Sequence, residues 1–361
     1  MTTMSSPVLA AAQASGAQSG PWGDWELATG FGYPAAEYRA AHQATAVHDT
    51  SYLGRIKATG PDVLDLLNRL STNRVDPLPS GSGAATVLTN EKGRILDLVY
   101  VFNLGPYILL LTSPGREEAV AQWLDRFTFI EDIATEPITS STALITLAGP
   151  KSPETLAMVA PGLPATPEPL QVVHATLDGA QLSIIRLDLA GIPCFHIMAS
   201  VEHAESVWNA AAACGAVPVG EDVWQVLRVE AGVPAYGKEL GEAFNPLETG
   251  LIGGIDFAKG CYIGQEVIAR LDTYDKVQRA LVRLSLDDAV PAQEGAKLLS
   301  EGKEVGVLTS LARVPATGAL LGLGYARRAA AVPGHRLTLA GSNVPSVEVL
   351  DLPLLLGEEQ S

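Results

Sequence analysis

The chemistry of this chain is concentrated in Lys259-Gly260-Cys261-Tyr262-Ile263-Gly264-Gln265-Glu266-Val267-Ile268-Ala269-Arg270, where a lone thiol stands between a lysine and a glutamate. A thiol becomes a nucleophile or a metal ligand only as thiolate, and nearby cations or helix-end amides favour that form. Lys259 lies two residues before Cys261 and Arg270 nine after it, which makes Cys261 and Lys259 the candidate catalytic pair. Gly260 and Gly264 let the backbone turn tightly on either side. The competing reading is a buried cysteine packed as a small hydrophobe.

The elements that must position these residues follow from periodicity. Val63, Leu66, Leu67 and Leu70 fall at i, i+3, i+4 and i+7, predicting a short helix opened by Gly60-Pro61-Asp62. Strands over 84–89 and 94–102, joined by Asn90-Glu91-Lys92-Gly93, predict a hairpin, and a further strand covers 107–112. A helix over 116–127 completes the first half. The order then repeats with a strand at 143–148, a helix at 152–159, strands at 181–189 and 194–198, and a helix at 202–214. Two α+β lobes, each with helices on one face of an antiparallel sheet, are what this order implies.

After a helix over 221–231 the chain becomes loop-rich, with eight glycines and two prolines in 232–264, where a binding surface is expected. From Gln278 onward, Ala280, Val282, Leu284 and Leu286 alternate with Leu281, Arg283 and Ser285, the period of a half-buried strand. Five or six such segments predict a small β-barrel of about 80 residues. The expected organisation is a disordered tail over 1–20, two lobes over 21–275 and the barrel over 276–361.

Composition narrows the function. A formal charge of −16 argues against broad contact with nucleic-acid phosphates, while leaving room for a small basic pocket. Cys194, Cys214 and Cys261 include no CxxC pair and fit no disulfide framework, and the histidines form no HExxH motif. No metal site is expected, and a reducing, cytoplasmic setting is the simplest reading. No apolar run approaches the roughly 18 residues of a membrane span.

Three stretches resemble the aminomethyltransferase (glycine cleavage T-protein) superfamily. They are 47–56 with Thr59-Gly60-Pro61-Asp62 and Leu70-Ser71-Thr72-Asn73; 227–234 continuing to Tyr236-Gly237-Lys238-Glu239-Leu240 and Asn245-Pro246-Leu247-Glu248; and the Cys261 block. The block Lys-Gly-Cys-Tyr-x-Gly-Gln-Glu is similar to that of the YgfZ-type folate-binding branch. The resemblance implies an α+β aminomethyltransferase-like fold whose lobes surround a tetrahydrofolate channel, with a C-terminal barrel. It implies binding of tetrahydrofolate or a one-carbon derivative. It also implies an accessory role in iron–sulfur cluster assembly or repair, with iron–sulfur enzymes (tRNA-modifying ones included) or assembly proteins as partners. A folate-dependent aminomethyltransferase or demethylase is the alternative.

The resemblance assigns Asp97, Arg228, Glu230, Tyr236, Gln265 and Glu266 to cofactor binding. Where transferases carry two consecutive aspartates, this chain has Leu96-Asp97, and a glutamate that grips the pterin has no counterpart in Gly191-Ile192-Pro193-Cys194-Phe195-His196. Asp97 is either a channel carboxylate or a solvent-side residue. Arg228 either forks a folate oxygen or carboxylate, or joins a weak surface pair with Glu230. Tyr236 either stacks on folate or packs on its own domain.

Overall fold

A computed structural model describes residues 3–288, 290–342 and 344–353. The chain divides into two compact units, one comprising Met1–Leu67, Val75–Ala84 and Val99–Trp224, the other Asn68–Arg74, Ala85–Leu98 and Gln225–Ser361.

In the first unit a six-stranded sheet runs in the order Val172–Leu177, Ala180–Arg186, Cys194–Ser200, Thr142–Ala148, Ala46–Asp49, Val217–Pro218. Helices Ser152–Val159 and Ala204–Ala213 cover one face through Leu156, Val159, Val207 and Trp208, which meet Leu147, Phe195 and Ile197. The other face joins Leu144, Ile185 and Met198 to Phe102, Leu109 and Leu111, so strands such as Thr142–Ala148 are buried on both sides. That double burial explains their nearly unbroken hydrophobic runs.

The expected hairpin is present as Gly83–Thr89 and Ile95–Asn103, in a five-stranded sheet with Ile108–Thr112, Gly54–Thr59 and Ala134–Pro137. Its tip, 85–98, belongs to the second unit.

The first twenty residues are not the disordered tail expected from their composition. Met4–Ser5 pairs with Trp25–Gly30, helix Leu9–Ala14 follows, and Gln18–Trp22 pairs back onto Trp25–Gly30. Val8 and Ala12 lie in the main core, and Ser6 donates to the Asp49 carboxylate. Ser6, Val8 and Ala12 are buried there, which composition alone does not disclose.

The second unit ends in a closed six-stranded barrel, Arg279–Leu286, Leu320–Arg327, Lys303–Arg313, Lys297–Ser300, Arg336–Leu339 and Val347–Asp351. Val282, Leu284, Leu298, Leu308, Leu337 and Val349 fill it. The strand period read from 280–286 is the one observed, and closure removes the edges an open sheet would expose. The expected end of the barrel, 354–361, lies outside the described residues.

Candidate functional site

All eight residues singled out from the sequence lie in the second unit. Cys261 is exposed and its thiol is free, which removes the reading of a packed, hydrophobe-like cysteine. Tyr262 beside it is buried against Ile255 and Ile268, and burial pushes its hydroxyl up to about 12. Gly264 adopts φ +84, where a Cβ would stand 2.6 Å from the Asn90 carbonyl oxygen. Only glycine can make that turn into helix Gln265–Thr273. Thr89 Oγ1 fixes the same turn by donating to Ile263 O at 2.5 Å. Gln265 is half-buried at the helix start and Glu266 exposed in its first turn, where an acidic side chain suits the helix dipole.

Lys259, expected as the cation beside the thiol, is buried instead. Its ammonium donates to the carbonyl oxygens of Asn68 (2.5 Å), Ser71 (2.8 Å) and Asn73 (2.7 Å). An ammonium has three donors, and these three bonds commit them all to backbone.

Arg228 is likewise no surface residue. Nε donates to Gln225 Oε1 (2.7 Å), Nη1 to Val233 O (2.8 Å) and Glu239 Oε2 (3.3 Å), and Nη2 to Ser310 Oγ (2.8 Å). Its carboxylate partner is Glu239 rather than Glu230, and the pair is buried. With five donors in a guanidinium, one N–H remains for a ligand, too few for a two-pronged grip on a carboxylate. Glu230 is half-buried, its carbonyl accepting from Arg283 Nη1. Tyr236 is half-buried in a turn bridged to Leu240.

Asp97 has no exposed surface, and its strand neighbours Ile95, Val99 and Val101 are equally buried. The solvent-side reading is therefore excluded. Oδ1 accepts from Leu98 N at 2.9 Å.

Sequence reasoning missed Glu239, the fully buried centre of the Arg228 network. Oε1 accepts from Thr309 Oγ1 and Ser310 Oγ, both at 2.6 Å, and Oε2 also from Ala235 N at 3.0 Å. A glutamate in a glycine-rich stretch gives no sign of burial until the strand holding Thr309 and Ser310 is placed beside it. In the first unit, His48 was also passed over. Its ring contacts Val219 O (2.9 Å) and Glu221 Oε2 (3.1 Å) and stacks on Trp224 at 4.5 Å.

His196, at the end of the segment that lacks the pterin-binding glutamate, is buried in a polar chain. Its Nδ1 lies 2.7 Å from Thr146 Oγ1, which lies 2.7 Å from Thr50 Oγ1. Burial lowers its pKa from 6.5 to about 4. Between those values the unfolded chain binds a proton that the folded chain refuses. The associated stability is thus complete above pH 6.5 and lost as pH falls toward 4, by at most about 3 kcal/mol. The urea midpoint should drop between pH 7 and pH 4.5, and His196→Gln should flatten that dependence. An unchanged slope in the variant would refute the assignment.

Two family descriptions match the chain, the GCVT N-terminal domain over residues 8–259 and the glycine cleavage T-protein C-terminal barrel domain over 279–354. The chain belongs to the T-protein, or aminomethyltransferase-like, superfamily. Among its relatives, a chloroplastic protein of Arabidopsis thaliana named as a transferase is 33% identical over 317 residues, covering 88% of this chain and 72% of that protein. An aminomethyltransferase of Thermotoga neapolitana is 29% identical over 338 residues, covering 92% of each. The crystal structure of the glycine cleavage system aminomethyltransferase T from Bartonella henselae superposes with a TM-score of 0.87 over 98% of this chain and 99% of that one. At 22% identity it establishes the T-protein fold alone. Among the described residues no helix is long and apolar enough to cross a membrane.

Proposed function

We propose that this T-protein relative binds tetrahydrofolate, or a one-carbon derivative, and supports iron–sulfur cluster assembly or repair through the Cys261 thiol. The exposure of that thiol, between buried Lys259 and buried Tyr262 in a block resembling the YgfZ-type signature, is the observation that carries the reading. The residues fit a folate in part. Tyr236 offers a half-exposed ring, while Asp97, which the resemblance assigns to the cofactor, has no exposed surface and meets a pterin only where the packing around it opens. Arg228 is too committed to fork the glutamate tail. Tetrahydrofolate, when bound, supplies ring nitrogens that carry a one-carbon unit. The acidic balance of the chain accords with serving tRNA-modifying enzymes indirectly rather than by touching RNA.

A folate-dependent aminomethyltransferase is the second reading, favoured by relatives of that name. Calorimetric titration tests the shared part. Tetrahydrofolate should bind in the micromolar range or tighter, about −8 kcal/mol, and Asp97→Asn should weaken it about tenfold or more, as expected for a lost charge-assisted hydrogen bond. No binding to the parent protein would sink both readings. Methylene-tetrahydrofolate formed from an aminomethyl-lipoyl carrier would reverse their order.

A further inference from the structure

The loop that carries Cys261 is latched on both sides of the thiol, and the stronger latch is Lys259. Its ammonium reaches the Asn68 carbonyl in the last turn of helix Val63–Leu70 and the Ser71 and Asn73 carbonyls just beyond. Carbonyls at a helix end lack partners within the helix, and a cation there meets the negative end of its dipole. A buried ammonium, for its part, is tolerated only when its donors are satisfied. Each side therefore meets the other's requirement, which an apolar or neutral side chain at 259 would not do.

The same two chain segments are joined elsewhere. Thr72 Oγ1 donates to Gly254 O at 2.5 Å, Asp256 N to Thr72 O at 3.0 Å, and Arg74 Nε pairs with Asp256 Oδ2 at 3.1 Å. Asp256 Oδ1 also accepts from Lys259 N at 3.0 Å, so the turn before the lysine is held by the residue that holds the 72–74 segment. On the far side of the thiol, Tyr262 is buried under the Lys259 ammonium, 5.4 Å from ring centroid to Nζ. Gly260 and Cys261 are the exposed residues between these anchors.

We propose that Lys259 is the positioning residue of the Cys261 thiol, an internal cation that fixes the 253–262 loop to the 68–74 turn. The proposal rests on the reading of Cys261 as the functional group. It gives Lys259 a different task from the one its sequence position suggests, since its ammonium is spent on carbonyl oxygens rather than on the sulfur.

The test uses the full-length chain as Lys259→Ala, with Lys259→Met as a second variant of similar reach, beside Cys261→Ser. Amide hydrogen exchange is followed in peptides covering 68–74 and 253–262, with barrel peptides from 281–286 and 320–326 as reference. In Lys259→Ala both loop segments should exchange about tenfold faster or more while the barrel is unchanged, the pattern of local opening. Methylammonium, small enough to enter the vacated carbonyl cage, should slow both segments again, and sodium chloride at equal ionic strength should not. In cells, activity of an iron–sulfur-dependent reporter enzyme should fall about tenfold or more in both lysine variants. Unchanged exchange in 253–262, or no difference between methylammonium and sodium, overturns the latch. Faster exchange with full reporter activity overturns the positioning role while leaving the thiol reading intact, provided Cys261→Ser is inactive. An active Cys261→Ser sinks the thiol reading itself, and the positioning role with it.

Discussion

Cys261→Ser should reduce the activity of an iron–sulfur-dependent reporter enzyme to the level of cells lacking the protein, with no measurable change in melting temperature. The two halves of this expectation come from separate features. Serine is close to cysteine in size and the side chain is exposed and unbridged, so the fold loses nothing that packs or pairs. Surface changes of this kind stay within about 0.5 kcal/mol of the parent. What disappears is the capacity to form a thiolate, which a hydroxyl does not replace at neutral pH. The other cysteines provide the controls. Cys194 is buried and desolvation pushes its thiol up to about 12, and Cys214 is partly buried against the main core. Brief alkylation of the native protein should therefore label Cys261 ahead of both. A reporter that keeps its activity in Cys261→Ser would remove the thiol from the mechanism.

Glu239→Ala should cost about 3–5 kcal/mol of stability, the loss expected when one partner of a buried ion pair is removed. The carboxylate has no exposed surface and serves Arg228, Ser310, Thr309 and the amide of Ala235 together. Truncation leaves the guanidinium of Arg228 buried without its counter-charge and the Ser310 hydroxyl without its acceptor, while Thr309 keeps the Leu323 carbonyl. Glu239→Gln should cost less, because its amide oxygen can still accept from the hydroxyl pair. Replacing Arg228 and Glu239 together by Met and Leu should cost less than the sum of the single losses, since no charge is then stranded. Urea unfolding of the parent, Arg228→Met, Glu239→Leu and the double variant forms the cycle. A single-variant loss below about 1 kcal/mol would mean that solvent reaches the network and screens it.

The parts of the structure legible in the sequence are those written in hydrophobic period. Val63, Leu66, Leu67 and Leu70 are all buried on one helical face, the hairpin around Asn90–Gly93 is in place, and the alternation from 280 to 286 leads to a barrel. Asp97 could not be placed because alternation names two faces without saying which is wet. Here the Asp97 face is the fully buried one and the opposite face is half-buried, so a carboxylate in an apolar strand is no sign of a solvent side. Lys259, Arg228 and Glu239 were hidden for a related reason. Charged residues in a glycine-rich loop or the last turn of a helix read as surface, and their burial depends on carbonyls and hydroxyls contributed from residues as distant as 68 and 310. The exposed thiol was found because a reactive group near glycines and a helix start is a local pattern. Its anchoring was not found because that is a long-range one.

The Thr50, Thr146 and His196 contacts carry an orientation that the heavy atoms alone impose. Thr50 Oγ1 must donate its single hydrogen to the Leu144 carbonyl, 3.0 Å away, because a carbonyl only accepts. It can then only receive from Thr146, whose oxygen in turn receives from the imidazole. With the Thr50 hydrogen on that peptide oxygen, Thr146 and the imidazole Nδ1 both donate toward it, so a ring on one strand is oriented by a carbonyl two hydroxyls away.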